Sequence, residues 1–168
     1  MSKITTKRGD DGKSDLLQGG RVPKHHPVFD LVGTIDELSA HLTLARSLGL
    51  ADATAQITKT VQQTLIQLMG EIITPPTLRK IVITAQNCSY LEEQIATLES
   101  RGHGEGWLQP DQHPSLAALD VARTVCRRSE RLYSLLREQR WTDNMQALIF
   151  LNRLSDWLWL AANQESEI

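Results

Sequence analysis

The sequence contains little cysteine and no long apolar run. Its two cysteines, Cys88 and Cys126, lack the spacing of metal ligands and are too few for a disulfide scaffold. The apolar runs are far shorter than the roughly 20 residues that a helix needs to cross a bilayer. The polar N-terminus also lacks the apolar segment of a secretory signal. These absences predict a cytoplasmic protein with no membrane partner.

Positive charge is not in excess, but it is concentrated in one segment. The formal net charge is −2, whereas four arginines fall within nine residues, at Arg123, Arg127, Arg128 and Arg131. The overall acidity, the apolar residues between the arginines and the lack of aromatic stacking residues among them argue against a nucleic-acid partner. Guanidiniums beside an apolar face instead favour partner carboxylates or a polyanion. The cluster therefore indicates a phosphate-bearing ligand.

The length of 168 residues suits a single domain. Residues 1–27 are polar and rich in glycine, which predicts an extended N-terminal loop before a helical bundle at 28–168. The stretch from Ser115 to Gln146 has no glycine or proline and is predicted as one long helix. Other helices are predicted at about Val28–Ser47, Asp52–Ile73, Gln86–Glu99 and Thr142–Asn163. The pattern predicts an all-α, up-and-down five-helix bundle, with Lys80–Thr84 as a short strand or an extended link.

The first candidate site is the N-terminal loop. Glycines at positions 9, 12, 19 and 20 allow backbone N–H groups to approach an anion closely. Lys7, Ser14 and Lys24 supply further donors. The spacing differs from that of a Walker A loop, so this is not a P-loop. A flexible tail is the alternative explanation.

Two further candidates lie on helices at the centre of the chain. Arg123, Arg127 and Glu130 are spaced i, i+4, i+7 and therefore share one helix face. Asp36 has apolar residues one turn before and one turn after it, which predicts that it faces partly inward. An inward carboxylate needs a cationic partner, and the arginine helix offers one. An exposed helix charge is the alternative for Asp36.

The last helix carries a polar stripe within a segment rich in leucine and tryptophan. Asn152 and Asp156 are spaced i, i+4, which is typical of a face that contacts a ligand. A local ion pair between Arg153 and Asp156 is the alternative. The histidines do not pair at i, i+4, so we predict no metal ligands. No serine or cysteine nucleophile can be assembled with a base.

Together these segments resemble the PduO-type ATP:cob(I)alamin adenosyltransferases. The resemblance rests on motifs that occur in the order of that family: TKRGDDGKSDL from Thr6, GRVPK from Gly20, GTIDEL from Gly33, ARTVCRRSER from Ala122 and FLNRLSD from Phe150. Each motif is modest by itself, whereas the set covers most of the chain at suitable separations.

The resemblance implies a ferritin-like five-helix bundle that assembles as a homotrimer, with ATP near each subunit interface. The implied reaction moves the 5′-deoxyadenosyl group of ATP, accompanied by Mg²⁺, onto the cobalt of cob(I)alamin and releases triphosphate. Because cob(I)alamin is itself the nucleophile, the protein need not supply one. A flavoprotein reductase and an adenosylcobalamin-dependent enzyme are the implied protein partners.

The resemblance also implies roles for single residues. Arg127 would contact the phosphates, and Arg128 and Glu130 would help to hold the nucleotide. Asp36 would pair with Arg123 across two helices and position the corrinoid side. Asn152 and Asp156 would hold ATP from the last helix. The N-terminal loop would wrap the triphosphate through Thr6, Lys7, Gly9, Asp10, Gly12, Ser14 and Lys24.

Two departures from the family pattern leave alternatives open. Arg8 stands where the family has threonine, beside the phosphate loop. Trp107 to Gln112 replaces a loop whose phenylalanine crowds the lower face of the corrinoid, and Trp107 would take that part with a larger ring. A catalytically impaired nucleotide- or corrinoid-binding regulator or carrier on the same fold is therefore the first alternative. An unrelated helical adaptor with a fortuitous arginine stripe is the second.

Overall fold

The structure, a computed structural model, describes residues 5–102 and 113–164. Within them lie two short strands and five helices, which confirms the predicted all-α bundle with an extended N-terminal segment. The strands are β1 (Lys13–Asp15) and β2 (Arg21–Pro23), and the helices are α1 (Pro27–Ser47), α2 (Asp52–Ile73), α3 (Ala85–Glu99), α4 (Pro114–Glu138) and α5 (Met145–Gln164). No helix in this part of the chain has both the length and the apolar character to span a bilayer.

The N-terminal segment is a small hairpin rather than an irregular loop. β1 and β2 pair antiparallel, with Ser14 opposite Val22. The N–H of Leu16 donates to the carbonyl of Gly20 at 3.0 Å, and Gly19 and Gly20 both have positive φ angles, as the tight turn requires. Strands of three residues are too short for a period-2 pattern, which explains why the sequence predicted only a loop.

Two helices start at a histidine followed by proline. His26 accepts the N–H of Val28 on Nδ1 at 3.2 Å, and His113 accepts the N–H of Ser115 in the same way at 3.3 Å. Pro27 and the proline after His113 occupy the first turn, where a missing N–H costs nothing. Histidine is not among the preferred capping residues, so the sequence did not reveal these caps.

The arginine helix is shorter than predicted. α4 ends at Glu138, and the chain turns before α5 begins at Met145. Arg140 takes a left-handed conformation with φ 57°, and Trp141 donates its N–H to the carbonyl of Leu136 at 2.9 Å. This is the usual C-terminal motif of a helix, but arginine occupies the position where glycine is expected. The stop signal was therefore absent from the sequence.

One hydrophobic core joins the five helices. α1 packs on α2 and α4, α4 packs on α5, and α5 packs on α3. The largest fully buried side chains are Trp157, Tyr133 and Phe150. Burial of such aromatic residues dominates the favourable free energy of folding. The same packing fixes the relative positions of α3, α4 and α5, whose polar residues form the site described below.

The link between α2 and α3 is extended, not a strand, and a buried carboxylate holds it. Glu71 is 3% exposed, and its Oε2 accepts the backbone N–H groups of Val82 at 2.8 Å and Ile83 at 3.1 Å. Its Oε1 accepts the side-chain amide of Asn144 at 2.8 Å. Arg79 covers the end of α2 by donating to the carbonyls of Glu71 at 2.7 Å and Thr74 at 2.7 Å. The carboxylate thus replaces a neighbouring strand as the hydrogen-bonding partner of this link.

Candidate functional site

A polar chain of contacts joins α4, α5 and α3. Asn152 on α5 donates its amide to Glu130 on α4 at 3.1 Å, and its carbonyl oxygen accepts from Arg153 at 3.0 Å. Arg153 also pairs with Glu92 on α3 at 3.2 Å. The i, i+3 ion pair of Arg153 with Asp156, the alternative explanation for this polar stripe, is not formed. The partner is on a neighbouring helix, which helical spacing alone cannot indicate.

A groove of about 390 Å³ lies between α3 and α5 beside these contacts. Its polar lining consists of Glu92, Glu99, Arg153 and Asp156, and Trp159 supplies an aromatic wall. The carboxylates of α3 were not predicted as site residues. Their signal was the i, i+7 spacing of Glu92 and Glu99, which places both on one helix face. The groove is within the size range of small-ligand sites.

The charge on Asp156 is disfavoured in this groove. Burial is the main cause that raises the pKa of its carboxyl, and the neighbouring carboxylates of Glu130 and Glu99 raise it further. The guanidiniums of Arg153 and Arg127 act in the opposite direction. These effects place Arg127 and Glu130 of α4 near Asp156 of α5; all three are residues predicted for the nucleotide side of the site.

Arg127 is a cation of this face without a fixed partner. Its side chain is exposed and makes no hydrogen bond or ion pair with the part of the chain that the structure describes. A guanidinium presents its donors in a planar fork that matches phosphate and carboxylate. Arg127 is therefore free to bind an anion near Asp156, a residue that lines the groove.

The predicted ion pair between Asp36 and Arg123 is not formed. Asp36 is exposed, because Ile35 and Leu38 take the core-facing positions of α1. Arg123 pairs instead with Asp120, one turn earlier on its own helix, with 2.7 Å between Nε and Oδ1. Arg123 reaches Asp120 on its own helix over a shorter distance than a carboxylate on α1, which explains why the predicted pair does not form.

A different ion pair connects α1 and α4. Arg128 Nη2 donates to Glu37 Oε2; Glu37 is the residue after Asp36 on α1, whereas Arg128 is five positions after Arg123 on α4. Both side chains are nearly half exposed, so the pair is a surface contact. Arg128, predicted to hold the nucleotide, thus lies on the α1 side of α4 and has a protein partner there.

Lys24 folds back over the glycines of the N-terminal segment. A Cβ atom on Gly9 would lie 3.0 Å from Lys24 Nζ, so the ammonium group lies directly against the backbone of this glycine. The N–H of Lys24 donates to the carbonyl of Gly12 at 2.9 Å, and Gly12 has φ 77°. The hairpin therefore brings together glycine backbone and a cation, as the prediction of an anion-binding loop required.

The other predicted loop residues surround this point. Lys7 has a left-handed conformation with φ 59°, and Thr6 Oγ1 accepts the N–H of Arg8 at 3.5 Å. Ser14 is half-buried in β1, and Asp10 is exposed. The loop thus presents side chains of both charges to solvent.

Arginines within the hairpin neutralise two of its carboxylates. Arg8 pairs with Asp15 at 2.9 Å, and Arg21 pairs with Asp11 at 3.0 Å and with Asp15 at 3.2 Å. The hydrogen bond from Arg21 is the main cause that lowers the pKa of Asp11. The charge added by Arg8 is therefore balanced inside the hairpin. No structural role was predicted for Arg21, although this residue is part of the GRVPK motif.

A family model described as cobalamin adenosyltransferase matches residues 4–165. The chain belongs to the cobalamin adenosyltransferase family. This finding confirms the resemblance that the sequence motifs predicted. Trp107 and the loop to Gln112, predicted on the corrinoid side, lie outside the described residues.

Curated members of the cobalamin adenosyltransferase family match nearly the whole chain. The corrinoid adenosyltransferase PduO of Salmonella typhimurium is 32% identical over 96% of this chain and 49% of its own length. The human corrinoid adenosyltransferase MMAB is 34% identical over 96% of this chain and 68% of its own length. The cobalamin adenosyltransferase of Cupriavidus metallidurans is 32% identical, with 96% and 87% covered. The chain thus spans about half the length of its PduO relative.

Solved structures of the family have the same fold. A variant of the PduO-type ATP:corrinoid adenosyltransferase from Lactobacillus reuteri, complexed with cobalamin and ATP, superposes with a TM-score of 0.88 at 28% identity. The match covers 98% of this chain and 94% of that chain. A second variant of that enzyme, complexed with ATP, also gives a TM-score of 0.88.

Within one chain of this family member, the two predicted halves of the site lie apart. One half is the N-terminal loop, and the other is the face of α4 and α5 that carries Arg127. So far as the described residues extend, the hydrogen bonds of residues 5–26 stay within that segment, join His26 to the first turn of α1, or reach Ile73 at the end of α2. The ring of His26 packs 4.9 Å from Trp141, after the end of α4. The segment therefore docks at one end of the bundle, away from Arg127 and the α3–α5 groove.

Proposed function

We propose that this chain transfers the 5′-deoxyadenosyl group of ATP to cob(I)alamin and releases triphosphate. The observation that carries the proposal is the unpartnered guanidinium of Arg127 beside a ligand-sized groove, in a member of the cobalamin adenosyltransferase family. Family relatives are named corrinoid adenosyltransferases, and one neighbouring structure holds both cobalamin and ATP.

Arg127 would act on the leaving group. When the bond between the ribose C5′ and the α-phosphate oxygen breaks, its electron pair stays on triphosphate, and negative charge builds there in the transition state. A guanidinium already held nearby stabilises that charge without reorganisation. Lys7, Lys24 and the glycine backbone of the hairpin would bind the rest of the triphosphate.

The α4–α5 contacts would hold the nucleoside part of ATP. Glu130 and Asn152 fix each other at 3.1 Å, so both are oriented before ATP arrives. Asp156 and Glu99 offer acceptors for ribose hydroxyl groups. Arg128, held by Glu37, would keep α4 in place against α1 and would add positive charge to the nucleotide side.

Asp36 and Arg123 stay proposed for the corrinoid side of the site, though not as an ion pair. Asp36 is exposed on α1, and Asp120 holds Arg123 on α4. Asp36 can then accept a hydrogen bond from an amide side chain of a corrinoid, and Arg123 can donate one. Trp107 is proposed to crowd the lower face of the ring.

Magnesium would enter with ATP. No cluster of three or more histidine, cysteine, aspartate or glutamate side chains that could hold a metal occurs in residues 5–102 and 113–164. Mg²⁺ commonly uses substrate phosphates, waters and only one or two carboxylates, so no such cluster is required. Asp10 is the hairpin carboxylate that no described arginine engages. Bound Mg²⁺ would neutralise charge on the phosphates.

A homotrimer would complete the site. The N-terminal segment and the Arg127 face lie apart in one protomer, and a ring of heterologous contacts would bring the loop of one copy to the α4–α5 face of the next. Both cysteines are buried free thiols, which suits the cytoplasm, where a reductase would supply the Co(I) state.

The direct test is an anaerobic incubation with chemically reduced cob(I)alamin and MgATP. We expect adenosylcobalamin in the cobalt spectrum and an equal amount of triphosphate. Stabilisation by MgATP without turnover would contradict the proposal and favour the regulator or carrier. Absence of both effects would contradict nucleotide binding by this chain altogether.

Subunit mixing tests the shared site. Arg127→Ala chains keep the loop, and Lys7→Ala chains keep the α4–α5 face, so neither homotrimer should turn over. In trimers co-assembled at equal ratio, about a quarter of the interfaces join two intact halves, and about a quarter of wild-type activity should return. No recovery in verified mixed oligomers would place each site within one chain.

A further inference from the structure

A second pocket lies at the end of the bundle where α4 turns into α5. It has a volume of about 520 Å³ and is bounded by the α2–α3 link on one side and the α4–α5 turn on the other. The residues that matter for its chemistry are Arg79, Ile81, Arg137, Arg140, Trp141 and Asp143. None of them lines the α3–α5 groove or belongs to the proposed adenosyltransferase site.

The pocket holds more positive charge than its surroundings balance. Three arginines and one carboxylate, that of Asp143, line the pocket, and Arg79 also interacts with the buried carboxylate of Glu71. Arg79 is committed to backbone carbonyls at the end of α2 and lies 5.8 Å from the centre of the Trp141 ring. Arg137 and Arg140 form no ion pair with any described residue. The unbalanced charge favours an anion as the occupant.

Two further observations concern the free arginines. The Nε of Arg137 is buried and has no hydrogen-bond partner among the described residues, although a buried donor without a partner is costly. Arg140 holds φ 57° at the position after α4 where glycine would be relaxed. The conformation of Arg140 ends α4, whereas the unsatisfied donor of Arg137 at a pocket wall is typical of a group kept for a ligand.

We infer that this pocket binds a small phosphate monoester whose organic part is planar or apolar. Arg137 and Arg140 bind the phosphate, and the Trp141 ring and Ile81 contact the organic part. The volume exceeds what a bare phosphate fills and lies within the range of small-molecule sites. The dianionic charge of the ester offsets the excess of guanidiniums.

Titration calorimetry with phenyl phosphate tests this site. Arg137→Gln combined with Arg140→Gln should weaken binding by about tenfold or more, because two charge-assisted contacts are lost. Arg101→Gln removes an exposed guanidinium of the same kind elsewhere and should leave binding unchanged. Arg127→Ala should also leave it unchanged, which separates the pocket from the ATP site.

One variant should improve binding, so that misfolding cannot imitate the result. Asp143→Asn removes the carboxylate of the pocket and should tighten phenyl phosphate binding by about two- to threefold. Inorganic phosphate should bind more weakly than phenyl phosphate if the Trp141 side contributes. The inference is overturned if wild type shows no saturable binding, if Arg127→Ala abolishes binding, or if the Arg137 and Arg140 changes have no effect.

Discussion

Two polar clusters of the molecule are built in opposite ways. Around Glu71, buried polar groups satisfy one another: both carboxylate oxygens accept hydrogen bonds, and Asn144 donates to Glu71 and to the carbonyl of Ile83. Around Arg127, the polar groups border a groove, the arginine has no fixed partner, and the charge of Asp156 is disfavoured. The first arrangement stabilises the fold, whereas the second leaves binding capacity for a ligand.

The difference follows from the cost of burying polar groups. A buried donor or acceptor without a partner costs about 1–3 kcal/mol, so a cluster inside the bundle persists only when it is complete. Tyr133 obeys this rule as well: its hydroxyl donates to the carbonyl of Asn144 at 2.9 Å, and burial raises its pKa to about 12. At the groove, solvent satisfies the polar groups until a ligand replaces it. Substitutions in the two clusters should therefore separate stability from activity.

The largest effect is expected from Glu71→Ala. The change leaves the N–H groups of Val82 and Ile83 and the amide of Asn144 without their acceptor inside the protein. We expect the free energy of unfolding to fall by about 3–5 kcal/mol. Urea denaturation followed by circular dichroism measures this loss, while turnover of the protein that stays folded should be close to wild type.

Glu93→Ala is the matched control for that prediction, because Glu93 is an exposed glutamate on α3 outside the groove. It should change the free energy of unfolding by less than about 0.5 kcal/mol. If Glu71→Ala unfolds at the same urea concentration as Glu93→Ala, the Glu71 cluster does not have the structural role described above.

Arg127→Ala should have the converse effect. The loss of one preorganised donor to a developing anion costs about 10²–10³-fold in rate. Because Arg127 has no partner in the described part of the chain, the thermal midpoint should not change. Single-turnover adenosylation of cob(I)alamin and a thermal melt of the same sample measure both. Arg101→Ala should leave the rate intact, and near-normal turnover of Arg127→Ala would remove the role on the leaving group.

The sequence indicated the α4–α5 residues near the groove, but not the Glu71 cluster, for a physical reason. Arg127, Glu130, Asn152 and Asp156 lie at helical spacings within two segments, so local periodicity places them on helix faces, and motif order supports the pairing of those faces. Glu71 meets Val82 and Asn144 only through tertiary packing. No spacing rule connects such positions. The helices were predictable because apolar periodicity recorded their buried faces.

The structure also differs from the predictions where helical spacing allowed two different ion-pair partners. Asp36 and Glu37 adjoin on α1, and the sequence favoured Asp36 as the partner of the arginine helix, whereas Glu37 makes the contact, with Arg128. Helical spacing also permitted an ion pair between Arg153 and Asp156, but Glu92 of α3 is the partner. Packing sets the rotation of a helix about its own axis, and this rotation decides which ion pair forms.

The smallest effect, and the most specific for the groove, is expected from Asp156→Asn. Its pKa in the folded protein is raised above the ordinary value of 3.8, mainly by burial. Between 3.8 and that raised pKa the folded state binds more protons than the unfolded state, so stability falls as the pH rises through this window. At pH 7 the ionised carboxylate therefore destabilises the fold. The amide should remove this cost and raise the free energy of unfolding by less than about 0.5 kcal/mol, since the carboxyl is only partly desolvated and the residue keeps much of its solvent contact.

The same substitution should weaken ATP use, because a charged acceptor for the nucleotide is lost. We expect the KM for ATP to rise by about tenfold, the equivalent of one charged hydrogen bond. Urea unfolding of variant and wild type at several pH values should give a stability difference that is largest near pH 7 and shrinks toward pH 3.8. A variant that is less stable at pH 7 would make Asp156 a structural carboxylate like Glu71. Higher stability with weaker ATP use would place it with the groups held open for the ligand, since such groups lower the stability of the free protein.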